Sequence, residues 1–248
     1  MTKQRLNEWV ELDALDIDYH QRQWESEYRS TGAFAEFIAD HVAPSRFVID
    51  LACGAGGATF ALSKRFMSAE FLGLDISTSL IQIAQEKQIE KAASNLSFES
   101  DDWFNLRSRE NVDGVISLQA LSWLPVWKPP LEEIVSKLQP KWMAFSSLFY
   151  EGDISCRIEI TEHIRNRTSF SNVYSVPEIS RWASSRGFKL AKFKKFEIDI
   201  DLPPTGVDSI RTYTERLEAE PGDIRRLQIG GPLLMNWAFL LLVRSGGA

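Results

Sequence analysis

The sequence has little that would staple the chain, hold a metal, span a membrane or neutralise a polyanion. Only two of its 248 residues are cysteines, Cys53 and Cys156, so no disulfide framework is available. The three histidines, His20, His41 and His163, lie far apart and have no ligand-spaced thiol companions, so no metal is expected. No basic segment leads into an apolar stretch at the N-terminus, which argues against a signal peptide. The longest apolar run near the C-terminus, Ala238 to Val243, is far short of the roughly 20 residues a spanning helix needs, so no membrane partner is expected. Basic residues are outnumbered, 28 Lys and Arg against 34 Asp and Glu, for a net charge of −6. That balance argues against a nucleic-acid partner, which needs basic surface to neutralise phosphates. The expectation is a soluble cytoplasmic protein in a reducing compartment.

What is present is ordinary globular material, 44% hydrophobic and 25% charged. Its spacing alternates between strand and helix. Phe47–Leu51 reads as a buried strand, residues 58–66 as a helix and Glu70–Asp75 as the next strand. Leu80, Ile83, Ala84 and Lys87 mark a helix face, and short strands are expected over 95–99 and 112–118. Leu131, Ile134, Val135 and Leu138 form a helical stripe closed by Pro140, before a strand over 141–149. Ser175-Val176-Pro177-Glu178 has the form of a capping box and opens a helix ending at Gly187. A long strand is expected over 188–200 and a last one over 233–243, with a β-hairpin around Glu220-Pro221-Gly222-Asp223 between them. This pattern predicts an α/β fold: a mainly parallel sheet with helices on both faces. Residues 181–197 carry Arg181, Arg186, Lys189, Lys192, Lys194 and Lys195 against Glu197 alone; this reads as a solvated face or as a patch for an anionic substrate.

The most informative stretch is Val48-Ile49-Asp50-Leu51-Ala52-Cys53-Gly54-Ala55-Gly56-Gly57, where a strand ends, the chain turns and a helix begins. Glycines there permit positive φ and let a ligand touch the backbone. In an open α/β sheet that crevice is the usual ligand site. Asp75 ends the second strand 19 residues after Gly56, where a carboxylate can accept both hydroxyl hydrogens of an unphosphorylated ribose. Asp101-Asp102-Trp103 follows the third strand, where a carboxylate and the next backbone N–H can pair with an adenine edge. The three features together describe an adenosine-containing cofactor.

Here the chain resembles the class I S-adenosylmethionine-dependent methyltransferases of small-molecule type. Asp50 to Gly56 is similar to their first motif, D-x-G-x-G-x-G, and Gly73-Leu74-Asp75-Ile76-Ser77 to the second. Phe98 to Trp103 resembles the adenine-binding third motif, and Val112 to Gln119 the fourth strand with the loop beside the reactive methyl. The resemblance implies a single Rossmann-like methyltransferase domain with a seven-stranded sheet. In it, residues 1–44 form an N-terminal helical cap, 45–150 the cofactor-binding core and 151–248 the substrate-side elements and last strands. It implies S-adenosyl-L-methionine as cofactor, with the Gly54–Gly56 backbone holding the methionine amine and ribose region and Asp50 supporting the amine indirectly. Asp75 would grip the ribose, Ile76 pack on adenine, and Asp102 with the Trp103 N–H read the adenine edge, Asp101 being the competitor. Ser117 and Leu118 would lie beside the methyl, and Arg29 would meet the cofactor carboxylate. Ala52 departs from the motif's first glycine, and its methyl is tolerated there if φ is negative. Gly56→Val is expected to abolish cofactor binding in a folded protein.

A sulfonium methyl is already activated, so alignment of the acceptor carries much of the rate. A hydroxyl acceptor generally needs a base, and His163 with Glu162 are the candidates, unless Thr161–His163 is only the exposed side of a helix. His20 and His41 have weaker claims. Trp123, Tyr150 and Tyr174 are candidate walls of the substrate pocket, and the hairpin reads as a lid or a homodimer contact. Cys53 reads as a small buried filler. The leading expectation is methyl transfer to a hydroxyl of a sugar-like or other small metabolite. N-methylation of a small amine is the first alternative, and a non-catalytic methyltransferase-like binding protein the second. A nicotinamide-dependent oxidoreductase fits less well, because Thr59 stands where that fingerprint wants Gly or Ala.

Overall fold

The computed structural model describes residues 14–163, 167–203, 213–230 and 233–246. Six helices are named: α1 Ala14–Glu25, α2 Arg29–Val42, α3 Gly57–Arg65, α4 Thr78–Glu90, α5 Lys128–Glu133 and α6 Val176–Ser185. The strands are β1 Phe47–Leu51, β2 Glu70–Asp75, β3 Leu96–Ser100, β4 Gly114–Leu118, β5 Trp142–Ser147, β6 Phe149–Tyr150 and β7 Glu159–Glu162. They continue as β8 Arg167–Phe170, β9 Tyr174–Ser175, β10 Phe188–Lys195, β11 Tyr213–Glu220, β12 Asp223–Gly230, β13 Leu233–Leu234 and β14 Ala238–Arg244.

Side-chain alternation along the strands feeds two cores, one on each face of a single sheet. On β1, Val48 joins Phe34, Ile38, Leu62 and Ile81 from α2, α3 and α4. Its neighbours Ile49 and Leu51 join Leu131, Ile179 and Trp182 from α5 and α6. β14 divides likewise, Phe239 and Leu241 to the first core and Leu240 and Leu242 to the second. Each buried side chain of this size stabilises the fold by about 1.5–3 kcal/mol. The sheet has seven strands in the order β3-β2-β1-β4-β5-β14-β10. β14 runs antiparallel to both neighbours, and β1 to β5 are parallel. The expected mainly parallel Rossmann-like sheet is therefore the observed one. Its order reverses between β1 and β4, which opens a crevice at their carboxyl ends.

Several boundaries differ from those expected. β10 stops at Lys195, not residue 200, although the Phe196 N–H still donates to the Trp237 carbonyl in register with the last pair, Lys195–Ala238. The last strand is split: β13 pairs with the hairpin strand β12, and β14 begins only at Ala238. Thr161–Glu162 lies on a strand and not on a helix, since β7 pairs with β8 from Glu159–Phe170 to Glu162–Arg167. The basic run on β10 lies on an edge strand, with Lys192 paired to Asp40 at 2.9 Å and Lys195 to Glu151. Lysines on a sheet edge discourage pairing with another chain. The hairpin is present as β11 and β12, joined through Pro221-Gly222. Among the described residues no helix is long and apolar enough to cross a membrane.

Candidate active site

β1 delivers Asp50 to the crevice, buried and one residue short of the strand end. The Thr59 hydroxyl of α3 donates to its Oδ2 at 2.6 Å, while Oδ1 is buried with no partner. Burial pushes the Asp50 carboxyl up to about 7, the Thr59 hydrogen bond opposes the rise, and the nearby Asp75 charge adds to it.

The chain then turns through Ala52 at φ 56°, Gly54 at φ 59° and Gly56 at φ 84°. Ala52 does not have the negative φ on which easy tolerance of its methyl depends, and left-handed backbone costs an alanine roughly 1–2 kcal/mol. A Cβ on Gly56 would come within 2.3 Å of the Phe98 ring, so packing requires a glycine here. Gly54 is the glycine that opens toward the crevice, and α1 covers it. A Cβ on Gly54 would meet His20 Cε1 at 2.6 Å. One turn further along α1, Trp24 Nε1 donates to the Ala55 carbonyl at 2.6 Å and its ring stacks on Phe60. His20 therefore stands at the glycine turn, whereas His163 is exposed at the end of β7. The pairing of His20 with Trp24 at helical spacing was a signal in the sequence for this shared face.

Asp75 ends β2 with both carboxylate oxygens oriented by backbone. Gly54 N–H donates to Oδ2 at 2.8 Å and Ser77 N–H to Oδ1 at 2.9 Å. Burial raises the Asp75 carboxyl above its ordinary value, and the N–H groups of Ser77, Gly54 and Ile76 oppose the rise. Ile76 beside it is exposed. Cys53 is buried, and burial first, then the charges of Asp75 and Asp50, push its thiol pKa up, which suits a filler and not a nucleophile.

After β3, the two neighbouring aspartates have different surroundings. Asp101 is enclosed by Arg107 and Arg109, while Asp102 accepts the Phe104 N–H at Oδ1, 2.8 Å away. Trp103 has its ring in the second core with Nε1 unpartnered, so only its backbone can meet a ligand in the crevice. At the end of β4, Ser117 is buried with an unpartnered hydroxyl and Leu118 packs on the first core. Gln119 adopts φ 58°, donates its N–H to the Ser146 carbonyl at 2.8 Å and its Nε2–H to Ser30 Oγ at 3.4 Å. That non-glycine left-handed residue at a strand end is visible only in the structure.

The remaining candidates scatter. Arg29 pairs with Asp199 at 2.7 Å on an exposed surface. Tyr174 is buried, donating its hydroxyl to the Leu124 carbonyl at 3.0 Å and accepting from Asn172 at 3.1 Å, which makes it a structural ring and not an open pocket wall. Burial pushes its phenol up to about 12. Trp123, partly buried, lies on a 3-10 turn packed against β5 and β8, and Tyr150 is exposed on β6. Glu162 and His163 lie at the end of β7, on the hairpin that β8 completes against that turn.

A family model described as a methyltransferase domain matches residues 45–175, from just before β1 through β9. The chain belongs to this methyltransferase family. Among curated relatives, the malonyl-[acyl-carrier protein] O-methyltransferase of Bacillus cereus is 36% identical over 77 residues, 31% of this chain and 28% of that protein. The trans-aconitate 2-methyltransferase of Mycobacterium tuberculosis is 33% identical over 101 residues, 40% of this chain and 36% of that protein. The matched part thus spans about a third of the length of these relatives. Among solved structures, the magnesium protoporphyrin IX methyltransferase of Synechocystis PCC 6803 with bound S-adenosylmethionine shares the fold at a TM-score of 0.53 and 17% identity, covering 98% of this chain and 90% of that chain.

The residues at the crevice fit S-adenosylmethionine. Asp75 offers an oriented carboxylate for a ribose diol, and the unpartnered Asp50 Oδ1 leaves negative potential where an ammonium end would be stabilised.

Proposed function

We propose that this protein transfers the methyl group of S-adenosylmethionine to an oxygen of a small-molecule acceptor. The observation that carries this reading is the Asp75 carboxylate at the end of β2, fixed by the Gly54 and Ser77 N–H groups beside the switch point of a methyltransferase-family sheet. When bound, the cofactor supplies an electrophilic methyl on a sulfonium. Asp75 then holds the ribose, Asp102 and the Trp103 N–H read adenine, Ile76 covers its face, and the Gly54 backbone with Asp50 receives the amino-acid end. α1 excludes water by laying His20 over Gly54. The acceptor enters beside Leu118 and Gln119.

Two acceptor oxygens fit this arrangement. A carboxylate is ionised at neutral pH and needs no base; the names of the B. cereus and M. tuberculosis relatives, an O-methyltransferase of a malonyl group and a methyltransferase of trans-aconitate, favour this class. A hydroxyl on a sugar-like metabolite needs proton removal, and His163 with Glu162 on the β7 hairpin are the groups that would provide it. Incubation with methyl-labelled S-adenosylmethionine and a panel of carboxylic acids, sugars and amines separates these readings. Label in base-labile esters supports the carboxylate. Label in ethers, lost by about 10²-fold in His163→Ala, supports the hydroxyl. Label confined to amines overturns oxygen transfer, and cofactor binding without turnover supports a non-catalytic role.

A further inference from the structure

Asp101 is the most heavily bonded carboxylate near the crevice, yet nothing in the reading above uses it. Its side chain is 4% exposed and Arg109 is 13% exposed. Arg109 Nη1 donates to Asp101 Oδ2 at 2.6 Å, and Arg107 Nε to the same oxygen at 3.3 Å. The other oxygen, Oδ1, accepts the backbone N–H of Asp102 at 3.0 Å. The Asp101 N–H in turn donates to the Asp75 carbonyl at 3.0 Å, which ties the turn after β3 to the end of β2. Asp102 closes that turn, its carbonyl accepting the Asn105 N–H at 2.8 Å and its Oδ1 the Phe104 N–H at 2.8 Å. Arg109 is anchored from behind, its N–H donating to the Lys137 carbonyl and Nη2 to Glu99 at 2.9 Å.

A carboxylate this enclosed is costly without its cation, so the Asp101–Arg109 pair is a fixed point of the loop. We infer that this pair is a positioning element for base selection: it sets the backbone from which Asp102 and Trp103 meet the adenine edge, and so determines preference for a 6-amino over a 6-oxo purine. The inference rests on the cofactor reading proposed above. Asp101 and Arg109 themselves touch no ligand; they act through the Asp102 N–H and the direction of its carboxylate. Asp102, as acceptor, pairs with an amino group and repels a carbonyl oxygen. Preference for adenine therefore follows the orientation of that one side chain.

The test is calorimetric binding of S-adenosylhomocysteine and of S-inosylhomocysteine, its 6-oxo analogue, to the whole protein. The native protein should favour the adenosyl compound by at least tenfold. Arg109→Met and the isosteric Asp101→Asn should each reduce that preference by about fivefold or more, with Arg109→Lys restoring part of it. Glu99→Gln, which neutralises the exposed carboxylate shared by Arg109 and Arg107 and leaves Asp101 intact, should change the preference by less than twofold. A native-like ratio in folded Arg109→Met or Asp101→Asn overturns the inference. So does an equal loss in Glu99→Gln, because loss of local stability would then suffice. If Arg109→Met does not fold, Asp101→Asn decides. Asp75→Ala separates the two levels: unchanged affinity there defeats the cofactor reading itself, whereas weakened binding with an unaltered base preference in the pair variants defeats only this inference.

Discussion

His20 of α1 covers Gly54, so closely that a Cβ on the glycine would lie 2.6 Å from the imidazole Cε1. Gly54 also has φ 59°. Gly54→Ala therefore carries two costs, a left-handed alanine of about 1–2 kcal/mol and a contact with His20. Urea unfolding should show a loss of about 1–3 kcal/mol. The double variant with His20→Ala should recover the contact part and leave the backbone part. Equal losses with and without His20 would mean that α1 does not rest on the turn.

Ala52 carries the opposite expectation. At φ 56° it occupies a conformation that glycine adopts without steric cost. Ala52→Gly relieves that strain but frees the unfolded chain, an offset of about 0.4–1 kcal/mol. The net effect should be neutral to stabilising by up to about 1 kcal/mol, whereas Ala→Gly at an ordinary φ destabilises. A loss above about 1 kcal/mol in chemical denaturation would contradict the left-handed assignment.

Gly56→Val tests packing more than binding. The expectation from the motif was a folded protein that had lost its cofactor. The structure places Phe98 Cζ 2.3 Å and Ala84 Cβ 3.2 Å from a Cβ at this position, at φ 84°. The variant should unfold or lose at least about 3 kcal/mol, seen by circular dichroism and thermal melting. A native-like melt would show that the Phe98 contact yields easily.

The difference between these glycines explains what could be read from the residues alone. Alternation of strand and helix, and the spacing of Asp50, Gly54 and Asp75, follow local rules, so the sheet and the crevice were legible. Which way each glycine faces depends on side chains far away in the chain, Phe98 for Gly56 and His20 for Gly54. The β7 strand, for which a helix face was the alternative weighed, forms by pairing with β8, a partner that local spacing does not show. Tyr174 departs from its expected place for the same reason: the carbonyl of Leu124 claims its hydroxyl across the fold. Asp102 was separable from Asp101 by motif spacing, but the arginine enclosure that accounts for the difference is tertiary.

Asp50 makes stability depend on pH in a direction opposite to that of the surface carboxylates. Its folded-state value is raised to about 7, against about 3.9 for an unfolded aspartate. Between those values the folded state holds a proton that the unfolded chain releases, so this group's contribution is fully present below about pH 4 and lost as pH rises through about 7. Asp75, raised by burial, acts with the same sign. Asp113, lowered by its hydrogen bonds to Lys141, Arg46 and Phe47 against the pull of burial, and Glu132, lowered first by Arg186, act the other way: their contribution is present at neutral pH and lost in acid. Between pH 5 and 8 the surface pairs are already ionised, so the slope there comes from Asp50 and Asp75 with one sign and from His41, lowered first by burial, with the other. Stability without cofactor should fall over that range by a few kcal/mol at most. Asp50→Asn cannot ionise and should reduce the fall by at least about 1 kcal/mol, measured by urea unfolding at pH 5 and pH 8. An identical fall in the two proteins would show that Asp50 is already charged when the protein folds, and the buried, unpartnered Oδ1 would then need another source of compensation.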